Sequence, residues 1–112
     1  MEEVLQGSSS TLVLTITDSA GAAIPAASMS SAVMTLRDRD SGSIINSRSN
    51  TNILNTGPGT ITSGGVATIQ LTAADNPIVG SNRKEVHVAT FKFVASNTTA
   101  RSEVVFAVVK ID

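Results

Sequence analysis

Apolar and polar residues alternate with period two in several well-separated stretches, the pattern of strands with one buried face. In "TLVLTIT", Leu12, Leu14 and Ile16 point one way, and Thr11, Thr15 and Thr17 the other. In "SAVMTLRD", Ala32, Met34 and Leu36 share a face opposite Val33, Thr35 and Arg37. "GVATIQLT" sets Ala67, Ile69 and Leu71 against Thr68 and Gln70, and "EVHVATFKFVAS" sets Ala89, Phe91 and Phe93 against Val88, Thr90 and Lys92. The last stretch, "RSEVVFAVVKID", is apolar on both sides: Val104, Phe106 and Val108 on one, Val105, Ala107, Val109 and Ile111 on the other. Two arrangements explain this. Either a loop covers the outer face of the strand, or that face meets another subunit.

Turn chemistry separates these stretches. "DSAG" ends in Gly21 and "RDSG" in Gly42, both suited to left-handed turn positions. Pro25 biases Ile24 towards extended backbone. "SIINSR" reads as a short third strand that pairs back as a hairpin. "SNTNILNTGPGTITSGG" reads as a loop around a short strand near Thr60 to Thr62. Thr72 can cap one helical turn before Pro77 stops it, and "NTTA" reads as a hairpin loop. About seven short strands with no segment of helical period predict an all-β protein, an antiparallel β-sandwich of the immunoglobulin-like kind. The polar start "MEEVLQGSSS" predicts a flexible N-terminal arm over residues 1–10, with a single sandwich domain over 11–112. This start does not have the form of a signal peptide.

Composition narrows the choice of function. The chain has 112 residues, enough for one two-layer core, and no cysteine, so disulfides and thiolate metal sites are excluded. Its net charge of −1, with no block of like charge, speaks against nucleic acid or an anionic membrane as partner. Three phenylalanines are its only aromatic residues, which argues against a sugar-stacking face or a dedicated ligand pocket.

Catalytic, cofactor-binding and metal-binding residues are all expected to be absent. The sole histidine, His87, lies in an alternating strand without a nucleophile elbow, and reads as a surface or strand-rim side chain. Asp38, Asp40 and Gly42 have the spacing that opens a calcium loop, but Arg48 stands where that loop needs a bidentate glutamate, so the segment reads as a charged turn. "GPG" and "SGG" lack the following helix and lysine of a phosphate loop. Asp75 and Glu85 are an unsupported carboxylate pair, and Asn97-Thr98-Thr99 is a glycosylation triplet that reads as a hairpin loop.

The strings "LVLTITDSAGAAIPAASMSSAVMTLRDRDSGSII" and "GGVATIQLTAADNPIVG", with the later "EVHVATFKFVASNTTARSEVVFAVVKI", resemble immunoglobulin-like modules of tailed-phage virion proteins, notably the N-terminal domain of baseplate upper proteins. The chain carries Val86-His87-Val88 where that family places tyrosine. The resemblance implies a non-enzymatic virion structural protein, either a capsid decoration or cement protein or a neck, tail or baseplate adaptor. Its expected partners are other virion proteins, met in many copies on a symmetric assembly. An outward-displayed adhesin-like or carbohydrate-binding module is the alternative.

Overall fold

The computed structural model describes residues 2–80, 83–96 and 98–111. These residues form eight strands: β1 (Glu2–Leu5), β2 (Ser10–Thr15), β3 (Met29–Asp38), β4 (Thr51–Asn52), β5 (Gly59–Ile61), β6 (Val66–Leu71), β7 (Lys84–Ala95) and β8 (Thr98–Val109). A five-stranded sheet has the order β1-β8-β7-β3-β4, and a three-stranded sheet the order β2-β6-β5. The inward side chains meet between them in one core that includes Leu12, Met34, Leu36, Ile69, Leu71, Phe91, Phe93 and Phe106. The alternation read from the sequence assigns faces correctly on every long strand. On β7, for example, Ala89, Phe91 and Phe93 are buried, whereas Lys92 is exposed.

The N-terminal segment corrects one expectation. Residues 2–5 are not a flexible arm but an edge strand, paired parallel to β8 with Val4 opposite Val108. Val4 is 7% exposed, so the strand contributes to the core. The sandwich is therefore mixed rather than purely antiparallel. The chain then crosses to the other sheet. Gly7, at φ 74°, donates its N–H to the Asn76 carbonyl at 2.8 Å. The fully buried Asn76 side chain donates to the Ser8 carbonyl at 2.7 Å and to Ser10 Oγ at 3.1 Å. Polar residues here satisfy a buried crossing, and that is why their polarity resembled that of a loose tail.

Deleting residues 1–10 is thus expected to lower stability. Exposing the site of Val4 alone costs about 2 kcal/mol, before the lost β1–β8 ladder is counted. A urea melt of the truncated chain, compared with the full chain, checks this.

The segment "SIINSR" is a second correction, because it does not form a hairpin strand. Asn46 and Ser47 take left-handed conformations, at φ 52° and 57°, which break the extended backbone. One isolated bridge, Arg37 to Ile44, remains of the expected ladder. The segment nonetheless hugs β3: Leu36 donates to the Arg48 carbonyl at 2.8 Å, and Ile45 is 2% exposed. Beyond it, Gly59 is required by close approach, since an added Cβ would lie 2.1 Å from the Ile53 carbonyl oxygen. The helical turn expected after Thr72 is a 3-10 turn, Ala73–Asp75, closed by a capping box between Thr72 and Asp75.

Candidate functional site

The outer face of the large sheet is read row by row from its register. Val105 lies beside Val88 and then Arg37; Ala107 beside Val86; Val109 beside Lys84. On the other flank Glu3 adjoins Ala107 and Leu5 adjoins Val109. Val86, Val88, Val105 and Val109 are half-buried, and Leu5 is 57% exposed. They form a largely apolar patch at one end of the face, spanned by the exposed Lys84–Glu3 ion pair. At the other end the rows turn polar, with Glu103 beside Thr90 and Thr35, and Arg101 beside Lys92 and Val33. A concavity of about 690 Å³ lies over these rows, walled by Arg37, Lys92, Arg101 and Glu103. The doubly apolar last strand is therefore the second strand of its sheet, with Val105 and Val109 partly exposed on the outer face.

Inside the sandwich, the antiparallel register places His87 of β7 directly opposite Asp38 of β3. Glu85, two residues earlier on β7, shares their inward face. The sequence reading put His87 at a rim or surface; instead it is fully buried, with Asp38 6% and Glu85 4% exposed. His87 Nε2 lies 3.1 Å from Glu85 Oε1 and 3.9 Å from Asp38 Oδ1. The ring meets Phe106 edge-on, with centroids 5.9 Å apart. Both Glu85 oxygens accept backbone N–H groups, from Val79 at 2.8 Å and Gly80 at 2.6 Å. Burial pushes the Glu85 carboxyl up. The Val79 and Gly80 N–H groups and the His87 ring outweigh that and hold it below its ordinary 4.5.

The "DRDSG" turn is built largely as its sequence suggests. Gly42 is left-handed at φ 73°, and its N–H reaches the Asp38 carbonyl at 2.8 Å. The capping carboxylate, however, is Asp38 rather than Asp40. Its Oδ2 accepts the Ser41 N–H at 3.1 Å and Ser41 Oγ at 2.6 Å. An opening of about 390 Å³ leads to Asp38 and Glu85 between Asp40, Ser41, Ser43 and Gly80.

Asp75 and Glu85 belong to separate networks. Asp75 is fully buried and binds Arg48 in a fork, Nε to Oδ1 at 2.9 Å and Nη2 to Oδ2 at 3.2 Å. Asn46 Nδ2 donates to Oδ1 at 2.8 Å, and the Thr72 N–H to Oδ2 at 2.8 Å. Burial pushes this carboxyl up, but the Arg48, Asn46 and Thr72 donors outweigh it and hold it below its ordinary 3.8. The fork joins the segment packed on β3 in one sheet to the turn after β6 in the other. Asn97 of the glycosylation triplet lies outside the described residues; Thr98 and Thr99 open β8.

What sequence reasoning missed was the meeting of Asp38 with Glu85 and His87. The available signal was Glu-x-His on an inward face opposite a strand that ends in Asp. It becomes informative only once the β3–β7 register is known.

No protein-family model matches the chain, and no curated protein matches it. Among solved structures it is similar to the periplasmic chaperone SfaE, with a TM-score of 0.53 and 10% sequence identity over 98% of this chain. It spans about half, 53%, of that chaperone's chain. At this identity the similarity concerns architecture alone: the chain is an all-β sandwich of immunoglobulin-like fold.

Proposed function

We propose that this chain is a non-enzymatic structural module of a bacteriophage virion that works through protein–protein contacts. It would sit in many copies on the capsid as a decoration protein, or join neck, tail or baseplate components. The observation that carries the contact role is the outer-face patch of Leu5, Val86, Val88, Val105 and Val109, flanked by Arg37, Lys92, Arg101 and Glu103. Exposed apolar side chains adjoining charged ones are a feature of protein interfaces. The virion setting rests on the resemblance of the strand and turn strings to phage modules. Repetition on a symmetric lattice would let contacts of modest strength add up.

The test is cosedimentation of the purified chain with capsids and with tails of its parent phage, run beside Val105→Glu. Val105 is half-buried on the outer face of the sheet, so the variant is expected to keep its melting temperature within about 4 °C. It is also expected to lose saturable binding to particles. Full binding by this variant would remove the patch from the interface. Binding to glycans without binding to particles would replace the virion reading with the adhesin-like one.

A further inference from the structure

We infer that Asp38, Glu85 and His87 form a binding site for a divalent first-row transition cation such as zinc, which would pin the end of β3 to the start of β7. One ligand atom from each residue lies within 4.8 Å of the other two. The three come from different constraints: the β3–β7 register brings Asp38 to His87, and strand periodicity puts Glu85 on the same face. Each is already held in place. Glu85 is fixed by the Val79 and Gly80 N–H groups, and Asp38 Oδ2 by Ser41.

Two carboxylates buried side by side repel each other, and a cation between them would offset that repulsion beyond what the Ser41, Val79 and Gly80 donors supply. The imidazole nitrogen that faces both is Nε2, and it serves them unequally. Glu85 Oε1 is within hydrogen-bond reach at 3.1 Å, whereas Asp38 Oδ1 stands at 3.9 Å, beyond it. Nδ1 has no hydrogen-bond partner, so a cation bound at Nε2 would leave the Nδ1 proton unpaired beside the edge-on Phe106 ring.

A cation with ligand bonds of about 2.0–2.2 Å holds neighbouring donor atoms about 2.9–3.5 Å apart. The His87–Glu85 separation of 3.1 Å already lies in that range, whereas Asp38 Oδ1, 3.9 Å from Nε2, would have to draw closer to become the third donor. One imidazole nitrogen with two carboxylate oxygens suits zinc, manganese or nickel rather than calcium, which takes six to eight oxygens. The remaining coordination positions would face the opening beside Ser41 and Gly80, where water can complete the shell.

The chelator-stripped full chain is titrated with zinc by calorimetry, and the imidazole 15N resonances are followed in parallel. Because His87 is the sole histidine, those resonances report this ring and no other. The site predicts one zinc per chain, a shift of the Nε2 resonance on binding, and a melting temperature raised by saturating zinc. Asp38→Asn is expected to weaken binding at least tenfold while the melt stays cooperative. Zinc uptake that leaves the ring resonances unmoved overturns the site. So does undiminished affinity in Asp38→Asn, or no uptake by the stripped chain.

Discussion

Truncating Phe106 to alanine is expected to lower the unfolding free energy by about 3–5 kcal/mol. Phe106 is fully buried on β8, where the register sets it opposite His87 on one side and beside Glu2 of β1 on the other. Its ring closes over the imidazole edge-on, so truncation opens a cavity against a buried polar side chain as well as against the core. The strands on both flanks are hydrogen-bonded along their length and cannot collapse into the gap, which places the cost near the top of the usual range. Such a loss is a large part of the roughly 5–15 kcal/mol that holds a domain together. Denaturant melts followed by circular dichroism measure it. A change below about 1 kcal/mol would mean that this part of the core repacks freely.

Asp75→Asn is expected to cost about 3 kcal/mol, because it leaves Arg48 partly buried without its counter-charge. Arg48 is 20% exposed at its side chain, so water offsets part of the loss. The same carboxylate predicts a pH dependence. Its folded pKa lies below its unfolded value, so below about pH 4 the unfolded chain binds the extra proton first. The stabilisation from Asp75 is therefore complete above the unfolded value and fades as pH falls through the folded one. Wild-type stability should drop with acidification in that window, and the Asp75→Asn profile should be flatter there. Parallel urea melts between pH 2 and pH 7 make the comparison; identical slopes would show that the fork does not couple to folding.

Several residues show what can be read without coordinates and what cannot. Phe91, Phe93 and Leu36 were legible as core because alternation is a local property of an extended chain, and burial follows one face. Gly42 and the Thr72 capping turn were legible because turn geometry is set by the residues within it. Val4 was not legible: a four-residue strand amid serines and glutamates carries too little alternation to stand out, and its pairing partner lies more than a hundred residues away. "SIINSR" misled for the opposite reason. Its isoleucines carry strand propensity, but Asn46 and Ser47 adopt left-handed conformations, which leaves Arg48 forked to Asp75.

The sequence alone determined that the protein is built of extended segments, which side chains face inward on the long ones, and where several turns fall. These are consequences of short-range sterics and of period-two burial, which each stretch carries within itself. Tertiary structure decided that β1 runs parallel to β8, that Asn76 seals the crossing between sheets, that Asp75 clamps them together, and that Asp38, Glu85 and His87 converge. Each of these depends on the register between strands distant in the chain. That register is fixed by the joint packing of both sheets, not by any one stretch of residues.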